Sequence, residues 1–244
     1  SIPRGIPPPL NSPSMLSPQN LKLPLTAFSL CLLAAQMQAV PIFSPSNTIF
    51  GVRNNGAGMF EVAVVGTDGG GAVYTDNFFP SNEPPFDAID NTGDKYLNFA
   101  ELNTGIVVTA ASAQIARALM LHTANDGPVR DPSSFQIYGT NVSLGGGPFS
   151  ISDFALIASG PLALPVDRNP QGSALTGTSF MQTVTFPNSV AYTSYAIIFP
   201  TVKDEPGSNS MQIAEVQLDT VPEPGSALLL GFAGVAFAAR RRRQ

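Results

Sequence analysis

The stretch MQIAEVQL, Met211 to Leu218, places apolar Met211, Ile213, Val216 and Leu218 among polar Gln212, Glu215 and Gln217, and only Ala214 breaks the phase. A period of two is the signature of a strand with one buried face. Working back along the chain, similar short runs occupy residues 59–66, 96–100, 105–109, 117–122, 134–138, 153–158, 181–186 and 194–199. The spacers between them are rich in Gly, Pro, Asn and Asp, which is the pattern of an all-β sandwich or barrel. Residues 110–120 are the one segment whose pattern also suits a helix, and residues 78–86 (FFPSNEPPF) read as a loop because Pro and Asn punctuate them. Residues 40–81 are taken as the first strands of the same body.

Composition narrows the function classes. Of 244 residues, 43% are hydrophobic and 12% charged, with 22 Gly and 23 Pro, so solubility rests on uncharged polar groups and loops. The net charge of −5 conceals an asymmetry: Arg4, Lys22 and Arg240 to Arg243 hold half of the 12 basic residues, while the span from Val40 to Ala239 sets all 17 acidic residues against six basic ones. Such an acidic body has no basic patch with which to neutralise phosphates, which argues against nucleic acid and makes divalent cations more plausible partners. The one cysteine, Cys31, sits in an apolar N-terminal run, so a chain that loses this run has no disulfide chemistry.

Both ends carry export features. Lys22 precedes the run LPLTAFSLCLLAAQMQA, residues 23–39, which ends on Ala39 before Val40-Pro41, the layout of a signal peptide with a positive start and small-residue cleavage. A buried helix or an uncleaved anchor is the alternative, although the run is shorter than the ~20 residues that span a bilayer. At the other end come Val221-Pro222-Glu223-Pro224, the apolar run 227–239 and the cluster Arg240, Arg241, Arg242 and Arg243. An apolar helix followed by arginines is a membrane segment with a positive cytoplasmic stop. Its shortness suits a processing signal better than a lasting anchor.

The order Pro-Glu-Pro, apolar helix, arginine cluster resembles the PEP-CTERM sorting tail of exported bacterial proteins. The resemblance implies export, a membrane association through the C-terminal helix in transit, an exosortase-type sorting enzyme as partner, and a final place at the cell surface or in the extracellular matrix. The expected organisation is a leader over residues 1–39, one β-sandwich domain over 40–220 and a sorting tail over 221–244, with a signal helix and a C-terminal apolar helix flanking the sandwich.

Within the body, residues 87–99 (DAIDNTGDKYLNF), 119–139, 156–160, 195–200 and 211–218 together resemble the discoidin-like, coagulation-factor type C domains of the galactose-binding-like superfamily. That resemblance implies a jelly-roll sandwich with a structural Ca²⁺ held by an acidic turn and by the Glu of an Ala-Glu pair in the last strand. Carried over by position, the ligands are Asp90, Asn91, Asp94 and the pair Ala214-Glu215; the turn lacks the family's Gly and is one residue shorter. The residues agree on their own terms, because carboxylates and carbonyls are the oxygen ligands that Ca²⁺ takes and a Glu on a strand facing the core is costly without a cation. Solvated turn carboxylates remain the other reading.

His122, Asn125 and Arg130 lie in HTANDGPVRD. One reading makes them donors to sugar hydroxyls, and the other makes Arg130 an internal brace to Asp126 or Asp131. Tyr74, Phe78, Phe79 and Phe149 are candidate stacking platforms in a chain without Trp. Gly69–Gly71 and Gly145–Gly147 lack the Lys-Ser/Thr of a phosphate loop, Asn141-Val142-Ser143 is a formal glycosylation triplet, and no Gly-x-Ser-x-Gly elbow is present. The expectation is a non-enzymatic module that binds carbohydrate or another envelope polymer. A structural matrix protein with a fold-stabilising Ca²⁺ is the first alternative, and an envelope polysaccharide hydrolase the second.

Overall fold

The computed structural model describes residues 39–66, 78–175 and 177–220. The two expected flanking helices, the leader up to residue 38, the sorting residues 221–224 and 240–243, Tyr74 and Gly69–Gly71 lie outside them. Among the described residues no helix is long and apolar enough to cross a membrane.

Fifteen strands are formed by the described residues: β1 (Val40–Pro41), β2 (Thr48–Asn54), β3 (Met59–Val62), β4 (Val64–Gly66), β5 (Phe78–Pro80), β6 (Tyr96–Asn98), β7 (Thr104–Gln114), β8 (Ala118–His122), β9 (Ser134–Thr140), β10 (Phe149–Ser150), β11 (Ala155–Pro161), β12 (Met181–Thr185), β13 (Tyr192–Phe199), β14 (Met211–Ile213) and β15 (Glu215–Thr220). A seven-stranded antiparallel sheet runs β10-β3-β2-β7-β13-β9-β11, and a four-stranded antiparallel sheet runs β1-β15-β8-β12. Two small pairs, β14-β6 and the parallel β4-β5, complete the body.

The core joins the two large sheets. Ile106 and Val108 on β7, Phe135 and Ile137 on β9, and Tyr195, Ile197 and Phe199 on β13 share it with Leu119 and Leu121 on β8 and Val216 and Leu218 on β15. The residues between them on the seven-stranded sheet, Val107, Ala196 and Ile198, face the other way and are also fully buried. There they join Val52, Phe60, Phe149 and Phe154 in a second apolar layer. Edge-to-face rings hold that layer: Phe60 lies 5.4 Å from Phe154 and 5.5 Å from Tyr138, and Phe50 lies 5.5 Å from Phe149. β13 is therefore apolar on both faces, which its run of aromatic and β-branched residues encodes.

The all-β sandwich is as expected, with differences that have physical causes. Ala214, the residue out of phase, is where the last run changes partner: β14 pairs with β6, and β15 pairs with β8. Residues 110–120 form no helix; they are the end of β7 and the start of β8, and β7 reaches Gln114 with its tail exposed. Residues 78–86 are not all loop, since β5 pairs with β4 before a 3-10 turn at Pro85–Ile89. The strand expected at 153–158 starts at Ala155, because Asp153 closes a 3-10 turn.

Candidate functional site

The acidic turn follows the 3-10 turn Pro85–Ile89, whose start is fixed by Pro84 and Pro85. Asp90 accepts the Thr92 N–H at 2.7 Å and the Thr92 hydroxyl at 2.9 Å, and the Asp94 N–H donates to that same hydroxyl oxygen at 3.1 Å. Asn91 sits in the left-handed region at φ 63, which Asn tolerates better than most residues. Its N–H donates to Glu215 Oε2 at 3.1 Å, tying the turn to the start of β15. The turn also leans on residues 169–174: the Gly93 N–H donates to the Ser173 carbonyl at 2.7 Å, and Thr92 bridges to Ala174. A Cβ at position 93 would lie 2.1 Å from the Pro170 carbonyl oxygen and 2.6 Å from Asn169 Nδ2, so only glycine fits.

This turn concentrates negative charge in poor solvent. Glu215 is 1% exposed, and its Oε1 has no hydrogen-bond partner. Burial, with a further push from Asp90 against the Asn91 N–H, raises its carboxyl to about 8. Burial and then the charges of Asp90, Asp94 and Glu83 raise Asp87 to about 7. The nearby cation Lys95 is committed elsewhere, 2.8 Å from Asp126 and 3.4 Å from Glu83. Among the described residues no three His, Cys, Asp or Glu side chains converge closely enough to hold an ion by themselves. An ion here would take backbone carbonyls and water as well, in the manner of Ca²⁺. The fold thus brings Asp90, Asn91 and Glu215 together, with Asp94 on the same turn and Ala214, fully buried, donating its N–H to the His122 carbonyl. Asp87 and Glu83 escaped the sequence reading because prolines mark their stretch as a loop, although four carboxylates within residues 83–94 were there to see.

The second candidate group is split by the fold. His122 ends β8, where the run 117–122 places it, and is 4% exposed, in register with Glu215 on one side and Met181 on the other. Its Nδ1 has no partner, and burial lowers its pKa, as an interior imidazole's charged form is disfavoured. Asn125 is on the rim, where its Nδ2 donates to Gln171 Oε1 at 3.2 Å. Arg130 makes no side-chain hydrogen bond or ion pair among the described residues and is not the expected brace. The brace exists with other cations: Asp131, fully buried, accepts Arg168 at 2.8 and 2.9 Å and Lys203 at 2.8 Å. Asp126 answers to Lys95, whose hydrogen bond and charge, with a smaller pull from Arg130, outweigh burial and lower its pKa. Phe79 and Phe149 belong to the core, whereas Phe86, 44% exposed on the turn before Asp87, presents a ring to solvent. The Asn141 side chain bonds the Ala191 carbonyl and the Thr193 N–H, so it serves as a local tie.

β15 ends at Thr220. Residues 220–243 match the PEP-CTERM protein-sorting motif. No curated protein matches the chain. Among solved structures, it is similar to the family 32 carbohydrate-binding module of Clostridium perfringens NanJ in complex with galactose, at 12% identity over 75% of this chain and all of that one, with a TM-score of 0.46. It is also similar to chitosan-binding module 1 of a chitosanase/glucanase from Paenibacillus sp. IK-5, at 15% identity, 75% and 100% coverage and a TM-score of 0.43. The family 32 module of Streptococcus pneumoniae EndoD follows at 9% identity, 73% and 98% coverage and a TM-score of 0.42.

Proposed function

We propose that this exported protein, sorted to the envelope through its PEP-CTERM motif and an exosortase-type enzyme, is a non-catalytic module that binds glycans or exopolysaccharide through loops at the rim of its sandwich. The observation that carries the reading is the motif itself, which matches residues 220–243 and so follows the described strands of the sandwich along the chain, with the sandwich as its cargo. On the binding side, the support is chemical: an exposed ring at Phe86 for stacking on a sugar face, and amide and guanidinium groups at Asn125, Gln171 and Arg130 for hydroxyls. A structural Ca²⁺ suits the acidic turn, because Glu215 Oε1 is buried without a partner and Asp87 and Glu215 both sit among like charges. Asp90, Asn91, Asp94, Ala214 and Glu215 would hold it, and it would supply the positive charge that these carboxylates lack.

Glycan-array binding of the purified protein tests this reading, with Phe86→Ala and Asn125→Ala each expected to weaken a positive signal about ten-fold, as loss of a stacking or hydrogen-bonding contact does. A protein that binds no glycan removes it. The alternative, a matrix protein whose cation only steadies the fold, is favoured by one observation: His122, a donor in the binding reading, is withdrawn into the interior.

A further inference from the structure

The junction between the sandwich and its sorting motif is closed by a very small strand. β1 lies at the edge of the four-stranded sheet and covers the last residues of β15, with Val40 opposite Thr220 and Pro41 opposite Asp219. Both residues of β1 are exposed, and Pro41 has no N–H to give to the ladder. At Ile42 the character of the segment changes. Ile42 donates to the Leu218 carbonyl at 2.7 Å, and Phe43 is clasped by Gln217, which accepts the Phe43 N–H at 2.7 Å and donates to its carbonyl at 3.1 Å. Ile42 and Phe43 are buried in the core. On its other side β15 is held by β8 from Glu215 to Asp219, and the Arg117 N–H closes on the Asp219 carbonyl.

The motif starts at Thr220, so Asp219 and Thr220, directly ahead of Val221-Pro222-Glu223-Pro224, are held as a strand. A processing enzyme takes extended backbone whose hydrogen-bonding groups are open to it, and folded segments are cut only after local opening. We propose that β1 is a removable cover, and that the enzyme processing the tail docks on the edge of β15 at Asp219 and Thr220 after Val40 and Pro41 peel away. This rests on the sorting reading above. The peel is shallow because the Gln217 clasp at Phe43 stops it, so the core stays closed while the edge opens. Docking by adding a strand to an open sheet edge gives backbone recognition without demanding particular side chains from the cargo.

The test locks the cover. Cα atoms of opposed residues in an antiparallel pair are ~4.5–5.5 Å apart, within the span of a disulfide. The full chain carrying Val40→Cys and Thr220→Cys, in a Cys31→Ser background, is expressed in a bacterium that processes PEP-CTERM tails, with Pro41→Cys and Asp219→Cys as a second lock. Tail removal is followed by mass. The oxidised chain should keep its tail, with processing slowed about ten-fold or more, and a reductant should restore the unlocked rate. Processing of both locked chains at the unlocked rate overturns the proposal alone. Failure of the unlocked chain to be processed overturns the sorting reading together with it.

Discussion

Asp131 and Glu215 are two buried carboxylates that the fold treats in opposite ways. Asp131 is met by a bidentate guanidinium and an ammonium, drawn from loops that also bond to one another through Lys203 and the Leu164 carbonyl at 2.8 Å. Glu215 is met by one backbone N–H and faces Asp90. One site compensates its charge with protein, and the other leaves a deficit that an external cation would fill. Buried charge by itself therefore does not mark a ligand site; the proposed cation site rests on the lack of a protein counter-charge at Glu215.

The sharpest way to break this contrast is to remove Asp131. Asp131→Ala leaves Arg168 and Lys203 pointing at an empty space, and breaking a buried pair in this way costs roughly 3–5 kcal/mol, readable as a lower urea midpoint. An unchanged midpoint would mean that the brace is ornamental. The next effect belongs to Glu215 and has a sign. Its folded pKa, about 8, lies above its ordinary 4.5, and Asp87 likewise rises from 3.8 to about 7. In chelator, the stability these groups contribute is complete below about 4 and is lost as pH climbs toward 8. The loss should be on the order of a few kcal/mol, and Ca²⁺ should restore it at pH 8. Glu215→Gln should reduce that pH dependence to the part that Asp87 carries and abolish the response to Ca²⁺. A wild-type protein whose thermal midpoint is flat from pH 5 to 8 in chelator would remove the deficit. The smallest effect sharpens the assignment of the brace: Arg130→Ala should move stability by about 0.5 kcal/mol or less, as an unpaired surface position does.

Much of this was legible in the chain. The alternation in Met211–Leu218 announced a strand, and Ala214, the residue that spoiled it, marked where the strand trades β6 for β8. The acidic turn and its tie to Glu215 were also legible, through the resemblance of Asp90, Asn91 and the Ala214-Glu215 pair to a known pattern. Partners of buried charges were not. Arg130 is one residue from Asp131, and proximity in sequence suggested the brace, yet Arg168 and Lys203 reach it from 37 and 72 residues away. Contacts made by loops that meet only after the strands pair leave no local periodicity. His122 was legible as the end of the run 117–122 but not as an interior side chain, because its burial comes from β15 and β12 pairing on either side of it.

The second apolar layer has a further consequence. With Phe149, Phe154 and Ile151 packed over Val107, Ala196 and Ile198, the broad sheet has no open plane on that side to lay along a polymer. In the proposed binding reading, contact would then fall to the rim loops, and a single small contact holds for a short time. Retention would then come from number: many copies planted on one surface engage one long polymer at several points, and their combined avidity exceeds the grip of any single module.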